Sequence, residues 1–267
     1  MKNLIVLIKQ VPDMEKVKFD SERGVVDRKS AGTEINPFDL NALEAAVQIK
    51  EKTQSNVIAI SMGPPQAEEA LKEAIARGAD EGILVTDKTF GGSDTKATSA
   101  ILAAAIKKIG DFSLIIAGEK SVDGDTGQVG AETAEYLKIP HVSYVCNVEN
   151  IDEDTIKLVS EIWEGTFLMQ MNLPGLITVT KDINTPRLPS FKSKLKARKA
   201  VIKKIGLEDL EGILSLEEVG FKGSPTKVKK IEVPGDLKRE GKLFRDNIEE
   251  AVEEIVETLL EKKIMEG

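Results

Sequence analysis

A single cysteine, Cys146, and a single histidine, His141, are all that this 267-residue chain has of either type. Neither a disulfide framework nor a Cys/His zinc site can therefore be built within one copy. A Cys–His nucleophilic pair is left formally open, but Cys146 falls in the alternating stretch His141-Val-Ser-Tyr-Val-Cys146, where it reads as an inert strand residue. No catalytic residue and no metal ligand is expected. No apolar run approaches membrane-spanning length, and the apolar start Met1–Ile8 is too short for the apolar region of a signal peptide with its cleavage site. The expectation is a cytoplasmic protein with no membrane insertion. The chain also lacks the G-x-G-x-x-G of a dinucleotide-binding unit, the G-x-x-x-x-G-K-[ST] of a P-loop and the Ser-Gly-Gly phosphate loop of an ATP pyrophosphatase. Ordinary dehydrogenases and kinases are excluded on that ground. The formal net charge of −8 would repel a phosphate backbone over most of the surface, so no nucleic-acid partner is expected.

With 41% apolar residues, the chain is long enough for one large core plus an appendage. Up to about residue 140, short apolar runs alternate with longer stretches at helical spacing. Strands are predicted at Leu4–Lys9, Asn56–Ser61, Gly82–Val85 and Ser113–Ala117. Asn36-Pro37 supplies an N-cap followed by proline at the first helical position, and Leu40, Leu43 and Val47 repeat on one face behind it. A second helix follows Gly63-Pro64-Pro65 and stops at Gly78, a third runs from about Asp94 to Lys108, and a fourth opens near Asp125 and closes near Leu137. The fold class is α/β, a parallel sheet flanked by helices. After Pro140, the β-branched and aromatic runs Val142–Asn147, Thr155–Ile162 and Phe167–Met171 predict an antiparallel meander that ends with the strand Gly175–Thr180. From Pro186 the order is lost, with seven basic residues and no acid between Lys192 and Lys204. A terminal amphipathic helix then carries Ile248, Val252, Ile255 and Leu259 on one stripe, which suits packing on its own domain or on another subunit equally.

In such a sheet, ligands sit beyond the carboxyl ends of the strands, where helix N-termini present unpaired N–H groups. Three loops qualify: Ser61–Pro65, Phe90–Thr95 and Ser121–Gly130. The last has three glycines that let backbone approach a ligand, and Thr126 and Gln128 as hydrogen-bonding groups. Its aspartates, Asp123 and Asp125, argue against a bare triphosphate cradle and suit ribose hydroxyls or helix capping. Nucleotide binding and a purely structural Gly-rich turn both fit. Asp94-Thr95-Lys96-Ala97-Thr98-Ser99 offers hydroxyls and N–H groups for a pyrophosphate or ribityl chain, or a plain helix cap.

Taken together, several segments resemble the electron-transfer flavoprotein beta subunit along nearly the whole chain. They are Lys9-Gln-Val-Pro-Asp13 after the first strand, Asn36-Pro-Phe38 with Leu43-Glu44-Ala45, Val57–Pro64, Arg77-Gly-Ala-Asp80, the Asp123–Gly130 loop, and Leu173-Pro174 leading to Asn184-Thr-Pro-Arg187 and its lysine-rich sequel. The resemblance implies an adenine nucleotide alpha-hydrolase-like core over residues 1–190. It also implies a recognition loop and a C-terminal arm over 191–267, contacting an alpha subunit that carries the family's other FAD. Non-bifurcating members hold AMP in the beta subunit, and bifurcating members hold a second FAD. Asp123-Gly-Asp-Thr-Gly-Gln-Val-Gly130 is similar to the bifurcating pattern Asp-Gly-Asp-Thr-Ala-Gln-Val-Gly, departing only at Gly127, and Phe90–Ser99 is similar to the segment that seats the extra flavin portion.

By that resemblance, Asp94, Thr95, Thr98 and Ser99 would bind the ribityl–pyrophosphate part. Asp123, Gly124, Asp125, Thr126, Gly127, Gln128, Val129 and Gly130 would wrap the adenylate, and Asn36, Met62 and Gly63 would line the adenosine pocket. NADH would be the electron donor. Ferredoxin or flavodoxin would be the low-potential acceptor, and a dehydrogenase or quinone-linked flavoprotein the higher-potential partner. Phe191 stands where the recognition loop commonly has its leucine anchor, with Leu195 and Lys196 beside it. The rival readings are an AMP-holding subunit that only carries and docks, and an ATP-binding homodimeric sensor with no redox role.

Overall fold

The computed structural model describes residues 2–13, 18–20, 25–27, 32–226, 244, 247–262 and 264. The chain divides into two compact units, Met1–Val228 and Lys229–Gly267. In the first, the elements run β1 (Asn3–Leu7), β2 (Gln10–Pro12), β3 (Lys18–Asp20), β4 (Val25–Asp27), β5 (Thr33–Ile35), α1 (Pro37–Thr53), β6 (Val57–Met62), α2 (Glu68–Arg77), β7 (Glu81–Val85) and α3 (Thr95–Ile109). They continue with β8 (Phe112–Gly118), α4 (Val129–Leu137), β9 (His141–Ile151), β10 (Thr155–Ile162), β11 (Gly165–Asn172), β12 (Gly175–Val179), α5 (Phe191–Arg198), β13 (Lys203–Ile205) and the short α6 (Gly220–Gly223). The second unit contributes α7 (Ile248–Glu261).

Among the described residues, nine strands form one sheet in the order β11-β10-β9-β12-β8-β1-β6-β7-β13. Every neighbouring pair from β9 to β13 is parallel, and β9-β10-β11 is an antiparallel meander. The α/β class with a parallel sheet is therefore as the sequence indicates. The meander does not end with β12, however. That strand turns back and inserts between β8 and β9, parallel to both, which gives it two buried faces and suits its continuous apolar run.

Alternation along the strands divides the core. Leu4, Val6, Val57 and Ala59 join Leu43, Val47, Leu71 and Ala74 of α1 and α2 on one face. Ile5, Leu7, Ile58 and Ile60 join Ile101, Ile106 and Ala134 of α3 and α4 on the other. Burying each such Ile or Leu contributes about 1.5–3 kcal/mol, so the parallel half is the rigid platform that holds the loops.

Three expectations are corrected. Helix α4 opens at Val129, four residues after the expected start, because Asp125 (φ 53°) and Gly127 (φ 63°) are left-handed and keep the preceding segment out of the helix. Order is not lost after Pro186: Phe191–Arg198 is helical, capped by Ser190, and Lys203–Ile205 adds a parallel strand beside β7. The expected domain end at residue 190 thus falls inside the first unit, with α5 packed against α2. Cys146 lies in β9 as expected but is only half-buried, its Sγ 3.4 Å from the Val159 carbonyl oxygen. The expected arm between 227 and 243 lies outside the described residues. In α7 the side chain of Asn247 caps Glu250, and Ile248, Val252, Ile255, Val256 and Leu260 are exposed.

Candidate functional site

The chain runs from β1 to β6 and β7 on one side, and α3 then carries it back to β8 on the other side of β1. Loops diverge at that reversal and open a crevice beyond the strand ends. The crevice is a cleft of about 430 Å³ lined by residues that follow β1, β6, β7 and β8. Of the expected residues, Met62, Asp94, Thr95, Thr98, Gly124, Thr126, Gly127, Gln128, Val129 and Gly130 all line it. Loops separated by more than 60 residues in sequence, about Met62 to Gly130, are thus brought to one space.

Asn36, Gly63, Ser99, Asp123 and Asp125 do not line the cleft but brace its walls. Asn36 occupies the N-cap position of α1 without a capping hydrogen bond, a correction to the sequence expectation. Its fully buried side chain donates instead to the Lys120 carbonyl (2.8 Å) and accepts from the Val122 N–H (3.1 Å), fixing the start of the Gly-rich loop. The Gly63 N–H donates to the Val85 carbonyl at 3.1 Å. Ser99 is buried, and its hydroxyl donates to Glu132 Oε2 at 3.1 Å, while Thr95 donates to Glu132 Oε1 at 3.3 Å. Glu132 therefore ties α4 to the first turn of α3.

The two loop aspartates are both offset by lysines. Lys9 Nζ lies 2.6 Å from Asp123 Oδ1 and 3.2 Å from Ser121 Oγ, and Lys120 Nζ lies 2.7 Å from Asp125 Oδ1. Burial works to raise the Asp123 carboxyl, but the Lys9 and Ser121 hydrogen bonds outweigh it and hold it below its ordinary range. Lys120 also lies over the Phe38 ring, 5.9 Å from its centroid.

Two glycines have definite reasons. Gly127 sits at φ 63°, where an alanine would be strained. A Cβ at Gly130 would strike Thr178, so glycine lets α4 close against β12.

Sequence reasoning missed Asp39, Lys9, Glu119 and Lys120. Asp39, buried in the first turn of α1, accepts from the Lys9 N–H (2.7 Å) and the Gly118 N–H (3.2 Å), joining the ends of β1 and β8 under the cleft. Burial pushes its carboxyl up to about 7, against the opposing pull of Asn36, the two N–H donors and the Lys9 charge. Burial also raises Glu119. The available signal was a carboxylate three residues after Asn36 at a helix start, which reads as an ordinary first-turn acid.

A cleft at the reversal point, walled by a Gly-rich loop and a capped helix N-terminus, stands where open α/β sheets place their ligands, and comparison with known proteins gives the family. Residues 23–210 match the model of the electron transfer flavoprotein domain. The chain is 43% identical over 264 residues to the electron transfer flavoprotein subunit beta of Thermoanaerobacterium thermosaccharolyticum, covering 98% of this chain and 100% of that one. The chain belongs to the electron transfer flavoprotein beta-subunit family. Within that family it is also similar to the caffeyl-CoA reductase-Etf complex subunit CarD of Acetobacterium woodii, with 42% identity over 84% of this chain and 85% of that one. The acryloyl-CoA reductase electron transfer subunit gamma of Anaerotignum propionicum is 36% identical over 98% and 99%. Beta subunits of this family pair with an alpha subunit in electron transfer. Away from the cleft, Phe191 and Leu195 stand exposed on α5 beside Lys196. Among the described residues, no helix is long and apolar enough to cross a membrane.

Proposed function

We propose that this chain is the FAD-holding beta subunit of an electron-bifurcating flavoprotein, acting in the cytoplasm beside an alpha subunit that carries a second FAD. The observation that carries the reading is the continuity of the cleft. The Gly-rich loop and the N-terminus of α3 line one space of about 430 Å³, so a ligand longer than an adenylate meets donors along its length. Gly124 to Gly130, with Met62, would hold the adenylate, and Thr95 and Thr98 would take the pyrophosphate and ribityl chain. Asn36, Gly63, Asp94, Ser99, Asp123 and Asp125 would hold the loops in place.

The donor set fits such a group, because hydroxyls and helix-start N–H groups face the anionic part and lysines offset the aspartates. Bound there, FAD would supply one- and two-electron chemistry, and the protein's part is to bind, orient and exclude water. NADH is the proposed donor, and ferredoxin or flavodoxin the proposed low-potential acceptor. The higher-potential partner, a dehydrogenase or quinone-linked flavoprotein, would be reached through the alpha-subunit FAD and dock at Phe191, Leu195 and Lys196. The exposed stripe of α7 would contact the alpha subunit. Support comes from relatives named as electron-transfer subunits of reductases.

One observation favours a second reading, in which the chain holds AMP and serves only structure and docking. Asp94 caps Ala97, and Ser99 is bonded to Glu132, as a ligand-free helix start would have them. Stopped-flow mixing of the heterodimer with NADH, ferredoxin and the high-potential acceptor, with each acceptor omitted in turn, separates the two. NADH oxidation that requires both ferredoxin and the high-potential acceptor supports bifurcation, whereas NADH inertness with intact electron carriage by the alpha-subunit flavin supports the AMP reading.

A further inference from the structure

Glu132 is half-buried on α4 and does not itself line the cleft, yet both its carboxylate oxygens are occupied by α3. Thr95 donates its hydroxyl proton to Oε1 at 3.3 Å, and the fully buried Ser99 donates to Oε2 at 3.1 Å. Held at both oxygens, the carboxylate presents one fixed acceptor to Thr95. A hydroxyl has one proton and two lone pairs, so a Thr95 oxygen whose proton is directed to Glu132 can only accept from anything else that meets it. Thr95 lines the cleft, and so does Thr98, three residues further along the same helix face. The Thr98 hydroxyl has no hydrogen-bond partner among the described residues and keeps its proton to give. Two threonines of one helix face therefore offer the cleft opposite chemistry, an acceptor at Thr95 and a donor at Thr98.

We propose that Glu132 is a positioning residue that fixes Thr95 as a hydrogen-bond acceptor, so that this point of the cleft takes an uncharged hydroxyl, that of the ribityl chain, and not a phosphate oxygen. The inference rests on the FAD reading and deepens it by dividing the α3 side between the two parts of the ligand. A phosphate oxygen is itself an acceptor, so it finds no proton at Thr95 and is repelled by the carboxylate one hydrogen bond behind it. A ribityl hydroxyl is neutral and can donate. It would complete a chain from ligand through Thr95 to Glu132, in which the charged end strengthens the links before it. Thr98 and the N–H groups at the start of α3 are left to the pyrophosphate.

The test uses the heterodimer holding one FAD, with its second site emptied, titrated separately with FAD, ADP and AMP. ADP carries the second phosphate and lacks the ribityl chain. In Glu132→Met, which keeps the length of the side chain and removes both acceptors, FAD affinity is expected to fall about fivefold while ADP and AMP stay within twofold. Thr95→Val should show the same split, and Thr95→Ser, which restores the hydroxyl, should return FAD affinity to the wild-type value. Combining Glu132→Met with Thr95→Val should cost no more than either alone, because Glu132 acts through Thr95. Equal losses for FAD and ADP, additive losses in the double variant, or unchanged FAD affinity in either single variant would overturn the proposal while leaving the FAD reading intact. Wild-type protein that takes AMP and excludes FAD at this site would overturn both.

Discussion

Helix α1 carries two buried carboxylates, Asp39 in its first turn and Glu44 near its middle, and the protein treats them in opposite ways. Asp39 receives neutral donors, the Asn36 side chain and the Lys9 and Gly118 N–H groups, with the Lys9 charge more distant, and burial pushes it up to about 7. Glu44 receives Arg187 through both oxygens, Nε to Oε2 at 2.7 Å and a second guanidinium nitrogen to Oε1 at 3.0 Å. Burial works against its charge, but the Arg187 hydrogen bonds prevail and hold it below its ordinary range. Arg187 also reaches Glu51 at 2.6 Å, and its carbonyl accepts from Arg77 at 2.8 Å. Reciprocal hydrogen bonds between Asn41 and Asn184 secure the same stretch. One end of the helix thus supports a ligand cleft with an adjustable charge, and the middle is a fixed clamp that seats the base of α5. Burial alone does not set a carboxylate's state; the partner supplied from elsewhere in the chain does.

The comparison breaks most visibly at the clamp. Arg187→Ala leaves Glu44 buried without its cation and is expected to cost about 2–4 kcal/mol, toward the low side for a buried pair because Arg187 is itself partly exposed. Urea unfolding measures it. At Asp39, replacement by Asn removes one acceptor from two converging N–H groups and is expected to cost about 1–2 kcal/mol. It also changes the pH dependence. A carboxyl raised in the folded state stabilises most below its ordinary value of 3.8, and that contribution is lost as pH rises to about 7. Glu44, being depressed, contributes above its ordinary value of 4.5, and that contribution is lost as pH falls below it. Between pH 4 and 7, stability of Asp39→Asn should therefore rise relative to wild type, and a parallel pair of curves would show that Asp39 is charged throughout. Gly127→Ala is expected to cost about 1 kcal/mol through its positive φ, read by thermal unfolding. The smallest effect on stability is that of Lys9→Met, under about 1 kcal/mol for a half-exposed pair, yet nucleotide affinity should drop severalfold as Asp123 loses its counter-charge.

The contrast also explains what was legible in the sequence. The cap at Asp94, one of two readings open beside a ligand role, and the irregular Gly-rich loop ahead of a helix were legible because capping and φ > 0 are local requirements. The roles of Lys9 and Asp39 were not legible, since they depend on Asp123 and Gly118, contributed by a different strand end. Arg187 was visible as part of a motif, but its partner lies 143 residues away. Helix α5 escaped notice because its basic sequence lacks an apolar stripe, its order coming from the Ser190 cap and from packing on α2. The insertion of β12 beside β8 was hidden for a related reason: sequence order fixes which strands exist and leaves their spatial order to packing.

The most direct test is the nucleotide content of the heterodimer purified with its alpha subunit, released by denaturation and separated by chromatography. Two FAD per heterodimer with little AMP is the predicted result; one FAD with one AMP would contradict the account and leave the α3 side of the cleft a helix cap without a ligand.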